Sequence, residues 1–595
     1  MCGIAGYIGS RNAAPIILEC LKRLEYRGYD SCGIAIEDHG ELFVRKTVGS
    51  IDSFREEIAA LAPTGSIGIG HTRWATHGKV DERNAHPHLS CDGAIAAVHN
   101  GVIENGDRLR AELSLAGHTF VSETDSEVVP HLLEEEMRQG RSFERAFLGL
   151  QERLLGTYAI LAVHRDSDSV CVTRKGSPLV VGVGDGEYFP ASDIPSFLPI
   201  TPRVVYLGEN ECYAISPKGM ERLALEGDRA VRLPSVPSAQ SVSISAESIS
   251  KGTFEHFMIK EILDQTGTLE RIIQGAPQLI GDVVPTLRNA RDIVFVGAGT
   301  SYHACLFGQY LFTAAARRHV DAYVSSDFEH HADLLGPGSV VVAFSQSGET
   351  LDTLEAVHLA QDRGAETIAV TNVELSSMAR LARRVIPLFS GPELAVAATK
   401  SYTAQLAVLT LFAQMLAPEM NGNATQPLWQ ARDALYNLTS EAARHHTREV
   451  GRDLLGPQPV FLTGRGRHYV TALEAALKLK EVSGLKAEAL HGGEMKHGTL
   501  ALVEEGTPAL HFYDTHELVR TEIAASELKA RGARIISVGP QPLPSSDHHI
   551  RVDDAGIATP IVQIIPMQIL AYELAKLKSM DPDRPRNLAK SVTVP

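Results

Sequence analysis

The sequence predicts an α+β domain of layered antiparallel sheets, followed by two α/β subdomains with parallel sheets. Up to about Ser216, short β-type runs are separated by turn residues and interrupted by helical stretches, which is typical of antiparallel layers. After a serine-rich stretch at 234–250, apolar strands alternate with long helices, as a parallel sheet requires. One strand–glycine unit occurs twice, at 292–301 and 458–466, which predicts two subdomains of one type.

These patterns also predict the domain boundaries. Helices are expected in the first domain near 12–25, 52–62 and 124–139. The predicted parts are a first domain at 2–216, a linker at 217–252, α/β subdomains at 280–418 and 450–585, and an extended tail at 586–595.

Composition limits the classes of function. The chain has 595 residues, enough for roughly two to four domains. With 56 basic and 72 acidic side chains its formal charge is −16, so binding to nucleic acid would gain little from counterion release. Small phosphorylated substrates stay possible, because backbone N–H groups and hydroxyls bind phosphate without net positive charge.

No membrane or secretory segment is expected. The most apolar stretch, 560–570, is interrupted by Gln563, Pro566 and Gln568, and the N-terminus lacks a basic region before a long apolar core. The seven cysteines form no C-x-x-C pair, which predicts a reducing cytoplasm and no structural zinc.

Cys2 is the sharpest local feature. A small second residue lets an aminopeptidase remove Met1, which leaves Cys2 with a thiol and a free α-amine. That amine titrates near ~8 and can act as general base to its own thiol. Alone, a Met-Cys start is more often accidental than catalytic.

Five ordered motifs surround this cysteine: CGIAGYIG, EYRGYDSCGIA, HTRWATHG, HNGVIEN and SETDSE. Together they resemble the N-terminal-nucleophile glutamine amidotransferases, so the first domain is expected to have that fold. The resemblance implies that Cys2 is the nucleophile, that Arg73 binds the glutamine α-carboxylate and that Asp125 binds its α-ammonium. It also implies an oxyanion hole formed by the Asn100 side chain and the Gly101 N–H.

The same resemblance implies further glutamine contacts, from Arg27, Trp74, Thr76 and His77. Arg27 would lie on a loop near the nucleophile and Trp74 on a mobile lid, although a core aromatic explains Trp74 as well. The histidines of this region (His71, His77, His86 and His88) fit no standard ligand spacing, and the related glutaminases need no metal, so no metal is expected.

Hydroxyl side chains follow two strands of the second half. The dinucleotide pattern G-x-G-x-x-G fails, because Tyr302 stands where the third glycine belongs. Thr300 and Ser301 follow one strand, and the run from Ser345 to Thr350 follows the next. A helix cap explains one such hydroxyl but not so many, so these loops predict a site for a phosphate monoester.

The hydroxyl loops resemble the sugar isomerase (SIS) domain. With ALEAALKLKE (472–481), GGEMKHG (492–498) and NLAKSVTV (587–594), they resemble the isomerising glutamine–fructose-6-phosphate aminotransferases over nearly the whole chain. This implies glutamine and fructose 6-phosphate as substrates and no cofactor. It also implies sugar-phosphate contacts from Thr300, Ser301, Ser345, Gln346, Ser347, Thr350 and Val396.

Four further residues receive catalytic roles from this resemblance. Lys590 would form a Schiff base with carbon 2 of the ketose, and Glu481 would move a proton between carbons 1 and 2. Lys478, three residues before Glu481 on one helical face, would stabilise charge on the sugar oxygens. His497 would open the ring from the neighbouring subunit, which implies a homodimer. Alternatively, Lys478, Lys480 and Glu481 would form a solvated helix face, and Lys590 would be only a charge on the tail.

Four positions depart from the family pattern: Thr266, Ala298, Ala398 and Thr499. The loss of a hydroxyl at Ala398 leaves open an enzyme for another keto-sugar phosphate. A non-catalytic sugar-phosphate sensor would need neither Cys2 nor Lys590. An asparagine synthetase would need an S-G-G-x-D-S loop, which the sequence lacks, and the segment 551–560 only partly matches the motif of an amidophosphoribosyltransferase.

Overall fold

The computed structural model describes residues 2–74, 78–242, 246–418 and 423–593, which form two compact units. The first unit is Met1–Ser250 with Ala589–Pro595, and the second is Lys251–Leu588. The C-terminal tail therefore groups with the first unit.

In its described residues, the first unit has fifteen strands and five α-helices. The strands are β1 Gly3–Ile8, β2 Ser31–Asp38, β3 Glu41–Val48, β4 Ile67–Arg73, β5 His88–Leu89, β6 Ile95–Ile103, β7 Gly156–His164, β8 Val170–Lys175, β9 Val180–Val183, β10 Tyr188–Ala191, β11 Arg203–Tyr206, β12 Glu211–Ser216, β13 Gly219–Glu226, β14 Arg229–Leu233 and β15 Gln240–Ser241. The helices are α1 Ala13–Arg23, α2 Ile51–Leu61, α3 Gly106–Leu115, α4 Val128–Arg138 and α5 Phe143–Arg153.

These strands form two antiparallel sheets with helices on their outer faces. The sheet orders are β15-β11-β9-β10-β1-β4-β2-β3 and β14-β13-β12-β8-β7-β6-β5. One apolar cluster lies between the sheets and includes Ile4, Ile69, Val98 and Leu161. Two more clusters pack α1 and α2 on the first sheet and α3, α4 and α5 on the second. This helix–sheet–sheet–helix layering confirms the predicted α+β class.

The structure differs from the predicted linker 217–252 at its start. Strands β13 and β14 extend the second sheet through Leu233, and β15 joins the first sheet. The alternation of Met220 and Leu223 with polar residues buries one face of β13, so these residues belong to the sheet.

Among the residues that the structure describes, the second unit has ten strands and eleven α-helices. The strands are β16 Asp292–Gly297, β17 Asp321–Val324, β18 Ser339–Ser345, β19 Glu366–Thr371, β20 Arg384–Pro387, β21 Val460–Gly464, β22 Ala487–His491, β23 Pro508–Phe512, β24 Arg534–Gly539 and β25 His548–Arg551. The helices are α6 Phe257–Leu263, α7 Gln265–Asn289, α8 Thr300–Leu311, α9 Leu351–Asp362, α10 Ser377–Leu381, α11 Lys400–Leu416, α12 Gln426–Leu438, α13 Glu441–Arg452, α14 Arg467–Ser483, α15 Leu518–Lys529 and α16 Thr559–Leu577.

Both sheets of this unit are parallel and have the same strand order. They run β17-β16-β18-β19-β20 and β22-β21-β23-β24-β25. Gly299 and Gly466 precede α8 and α14 with the same backbone conformation, φ +53° in each. The predicted duplication of an α/β subdomain is confirmed.

One helix has the length and apolarity of a membrane span. It covers Gly556–Leu577, including α16, and 89% of its apolar window is buried inside the protein. Its side chains belong to the core shared by both subdomains, where they pack against α14 and α13. This burial is typical of a core helix.

Candidate active sites

The start of β1 positions Cys2 beside the end of β4. Gly3 pairs with Thr72 in the sheet, so Cys2 lies next to Trp74, whose backbone N–H donates to the Cys2 Sγ at 3.1 Å. Burial raises the pKa of the Cys2 thiol. The thiol is therefore protonated at neutral pH, and an attack by its sulfur requires a base.

Asn100, on β6, contacts the same cysteine. Its Nδ2 donates to the Cys2 carbonyl at 2.9 Å, and its Oδ1 lies 3.0 Å from the Nε2 of His71. Burial lowers the pKa of His71 to about 3, so this imidazole is neutral at pH 7. Its Nε2 also faces the His99 carbonyl at 3.2 Å, and two acceptors place the single proton there. His71 thereby fixes the orientation in which Asn100 donates toward Cys2.

Gly101 occupies a position that excludes every other residue. Its φ is +125°, and a Cβ atom there would lie 2.1 Å from the carbonyl oxygen of Thr157 on β7. A side chain would therefore push apart the two strands that hold Asn100 in place.

The other predicted glutamine contacts lie around this centre. Arg27 donates from Nε to the Cys2 carbonyl at 3.4 Å and pairs with Asp193 at 2.9 Å. Arg73 is buried and donates to the carbonyls of Lys79 and Gly78.

Asp125 accepts from the Ile103 N–H at 2.7 Å, which holds its carboxylate at the end of β6. Trp74 packs edge-on against Tyr29, with ring centroids 5.7 Å apart. Thr76 and His77 lie outside the described residues. Hydrogen bonds thus join Arg27, Trp74 and Asn100 to Cys2, whereas Arg73 ends β4 and Asp125 begins the short helix Asp125–Glu127.

In the second unit, the hydroxyl loops meet at the switch point of the first parallel sheet. In the order β17-β16-β18, the chain leaves β16 and β18 in opposite directions, which opens a crevice at their carboxyl ends. Thr300 and Ser301 begin α8 directly after β16, and 345–350 connects β18 to α9. Because β16 and β18 are adjacent and parallel, both sets of hydroxyl side chains lie at one crevice.

The connection from β18 to α9 is a compact hydroxyl turn. Ser345 Oγ accepts from the Gly348 N–H at 3.0 Å, and Ser347 Oγ accepts from the Glu349 N–H at 3.1 Å. Thr350 precedes α9 without capping it, and its Oγ1 lies 3.3 Å from Ser345 Oγ. These hydroxyls lie in front of a helix N-terminus, which is a favourable place for a phosphate group.

A buried ion cluster borders this crevice. Lys478 Nζ, on α14, lies 3.3 Å from Glu474, 2.6 Å from Glu481 and 3.2 Å from the Thr300 hydroxyl. Burial alone would lower the pKa of Lys478, but the two carboxylates raise it above its usual value. Lys478 therefore stays charged, beside a Glu481 carboxylate that is partly open to solvent.

Glu474 and His303 complete this cluster. Glu474 is fully buried, accepts from the Thr300 hydroxyl at 3.0 Å and lies 2.7 Å from His303 Nδ1. Burial would raise the pKa of Glu474, yet Lys478 and His303 lower it. Sequence reasoning missed both residues, although Glu474 stands four residues before Lys478, the spacing of an ion pair on one helical face.

The remaining predicted sugar-site residues lie at different places. Ser301 Oγ accepts from Gln405 at 2.9 Å, and the Gln346 carbonyl accepts from the Asn372 N–H at 3.2 Å. The Val396 N–H donates to the Asp583 carbonyl at 3.1 Å, in the loop before α11.

His497 and Lys590 are not part of the Lys478 cluster. His497 is exposed on the short helix Glu494–His497, and Lys590 belongs to the tail that groups with the first unit.

Comparison with known proteins identifies two kinds of domain in the chain. The model of the glutamine amidotransferase domain matches residues 71–199, and that of the SIS domain matches 286–415 and 454–577. Proteins named glutamine–fructose-6-phosphate aminotransferase [isomerizing] from Thermococcus kodakarensis and Pyrococcus horikoshii are each 42% identical to the chain. The alignments cover 100% of this chain and of each relative.

A solved structure resembles the second unit. The C-terminal domain of glucosamine-fructose-6-phosphate aminotransferase from Francisella tularensis is 28% identical, with a TM-score of 0.50. The match covers 56% of this chain and all of that domain.

Proposed function

Because the chain belongs to the family of isomerising glutamine–fructose-6-phosphate aminotransferases, we propose that it converts fructose 6-phosphate and glutamine to glucosamine 6-phosphate and glutamate. The observation that carries the proposal is the presence of two kinds of site in one chain. One joins the oriented Asn100 amide to the carbonyl of Cys2, and the other places a hydroxyl turn beside the Lys478 cluster.

In the glutaminase half, Cys2 Sγ attacks the carbon of the glutamine side-chain amide. The Cys2 α-amine, set free by removal of Met1, takes the thiol proton. A base is needed because the raised pKa keeps the thiol protonated. Asn100 Nδ2 and the Gly101 N–H stabilise the oxyanion, with Arg73 and Asp125 holding the two ends of the amino acid. Ammonia leaves, and water hydrolyses the glutamyl thioester to glutamate.

In the sugar half, the hydroxyl turn binds the phosphate of fructose 6-phosphate. Lys590 forms an imine at carbon 2 with loss of water, and ammonia then replaces the lysine nitrogen at that carbon. Glu481 takes a proton from carbon 1 and returns one to carbon 2, while the proton of the carbon 1 hydroxyl moves to the imine nitrogen, which gives the aldose with an amine at carbon 2. Lys478 offsets negative charge that develops on the sugar oxygens.

Three finer features belong to the same proposal. The exposure of His497 supports its use by a neighbouring subunit to open the sugar ring, and hence a homodimer. Ammonia passes between the sites inside the protein, because in free solution it would be protonated and diluted. The enzyme works in the cytoplasm, where its seven free cysteines stay reduced.

The decisive experiment is mass-spectrometric detection of glucosamine 6-phosphate after untagged protein is mixed with glutamine and fructose 6-phosphate. Catalytic formation of the amino sugar supports the proposal, and neither product forming would overturn it. Glutamate without amino sugar would favour another keto-sugar phosphate as substrate. In that case Ala398, two residues after Val396 and lacking the family's hydroxyl, is the first position to restore to serine.

A further inference from the structure

We propose that the first unit binds a zinc ion through Cys91, His118, His131 and Glu134, at a site that the aminotransferase reaction does not use. One potential ligand atom from each of these four residues lies within 4.8 Å of the other three. The inference departs from the sequence expectation of no structural zinc.

Three separate segments of the fold bring these residues together. Cys91 lies in the turn after β5, His118 follows α3, and His131 and Glu134 lie one turn apart on α4. The spacings along the chain match no standard zinc motif, so only the folded chain brings the four together.

The distances fit a tetrahedral ion. Zinc bonds of about 2.0–2.3 Å give ligand–ligand edges of about 3.3–3.8 Å. Cys91 Sγ lies 3.7 Å from His118 Nδ1 and 3.5 Å from His131 Nδ1. Glu134 Oε2 lies 3.2 Å from His118 Nδ1 and 3.6 Å from His131 Nδ1. Four of the six edges are thus close to the lengths that zinc requires.

The ligand chemistry favours a borderline transition metal over calcium or magnesium. A thiolate and two imidazoles suit Zn²⁺, whereas Ca²⁺ and Mg²⁺ prefer oxygen ligands alone. The charges of one thiolate, one carboxylate and Zn²⁺ sum to zero. The side chains of His118, His131 and Glu134 are at most 4% exposed, while Cys91 is exposed and offers an entry path.

Neighbouring groups contact three of the four ligands, namely His118, His131 and Cys91. His118 Nε2 lies 3.2 Å from Glu135, and His131 Nε2 lies 3.6 Å from Glu127. A carboxylate behind the far nitrogen of a ligating histidine is typical of protein zinc sites, since it turns the other nitrogen toward the metal. The Thr119 N–H also donates to Cys91 Sγ at 3.4 Å, which helps to hold the sulfur in place.

A metal here would tether the segment that carries Asp125. His118 precedes this segment and His131 follows it, so one ion would bind both of its ends. The inferred role is structural, because the ion would hold a predicted glutamine contact in place without touching substrate.

The test begins with metal analysis of the purified full-length protein by inductively coupled plasma mass spectrometry. About one zinc per chain is expected, and Cys91→Ser should lose it. His39→Asn, an exposed histidine of the same unit, is the matched control and should keep its zinc. Equal zinc content in the native protein and in Cys91→Ser would overturn the proposal.

A second measurement tests zinc binding by the native protein directly. After treatment with a chelator, Zn²⁺ alone should raise the Tm of the native protein but not that of Cys91→Ser. Co²⁺ added to the native protein should give the ligand-field bands of a tetrahedral ion and a thiolate charge-transfer band. Glu135→Gln should weaken zinc binding by about 10- to 100-fold. No Tm rise and no thiolate band in the native protein would refute the site.

Discussion

At the scale of single residues, the orientation of one amide decides how the glutaminase site works. The Asn100 side chain can direct either its oxygen or its nitrogen toward Cys2, and only the nitrogen donates a hydrogen bond. His71 directs the Asn100 nitrogen toward Cys2, because the buried and neutral His71 ring donates from Nε2 to Asn100 Oδ1. His71 is thus a positioning residue, which acts on the reaction through Asn100.

Substitution of Asn100 by alanine tests this arrangement. The loss of one oxyanion donor is expected to lower the glutaminase kcat by about 100- to 1000-fold. Initial rates of glutamate release measure the effect, and isomerisation of fructose 6-phosphate without glutamine is the internal control and should not change. His71→Ala should lower the same kcat by a smaller factor. If Asn100→Ala kept the native kcat, the proposed oxyanion role would be wrong.

At the scale of elements, two helices from different subdomains meet in one charged cluster. Thr300 and His303 come from α8, and Glu474, Lys478 and Glu481 come from α14. Gly299 precedes α8 after β16, and Gly466 precedes α14 after β21. The two helices therefore occupy equivalent places in the duplicated fold. The cluster therefore couples the packing of the subdomains to the geometry of the proposed sugar site.

Substitution Lys478→Met should destabilise the second unit. It leaves the fully buried Glu474 carboxylate without its strongest counter-charge, at a cost of about 3 kcal/mol or more in free energy of unfolding. Lys480→Met changes an exposed lysine on the same helix and should stay within about 0.5 kcal/mol. Denaturant unfolding compares the two variants. Equal stabilities would contradict the inferred importance of the buried pair.

The same elements indicate what a sequence can and cannot reveal about this molecule. Thr300 and the 345–350 turn were predictable, because hydroxyls directly after apolar strands are a local pattern that parallel sheets gather at one edge. Glu474 was missed because its partners on α8 are distant in sequence, and the role of His71 depends on a hydrogen bond across two sheets. The strands after Ser216 resemble a linker in sequence, because their exposed face makes them weakly apolar.

At the scale of the whole molecule, buried neutral histidines are concentrated in the first unit. Burial lowers the pKa of His71 to about 3 and also lowers the pKa values of His86, His88 and His99. In the second unit, burial lowers the pKa of His511 to about 4. Each of these imidazoles takes up a proton on unfolding at mildly acidic pH, so the two units should respond differently to acid.

We expect the first unit to lose stability before the second as the pH falls from 6.5 to 5. In this window the unfolded chain binds protons that the folded chain does not, so the free energy of unfolding decreases as the pH falls. The loss approaches about 2 kcal/mol at pH 5 for each fully buried histidine. Carboxylates with lowered pKa values lose their contribution to the free energy of unfolding only below about pH 4.5. They therefore do not change the comparison between pH 6.5 and 5.

The two tryptophans make this difference measurable, because Trp74 lies in the first unit and Trp429 in the second. Thermal unfolding followed by fluorescence in Trp429→Phe reports the first unit, and in Trp74→Phe the second. The Tm seen through Trp74 should fall more steeply between pH 6.5 and 5 than the Tm seen through Trp429. Adding His88→Gln should remove about one of the protons taken up on unfolding, so the Tm seen through Trp74 should fall less steeply with pH. The exposed His39→Asn should leave this slope unchanged. Parallel falls of the two Tm values would mean that the buried histidines of the first unit do not control its response to acid.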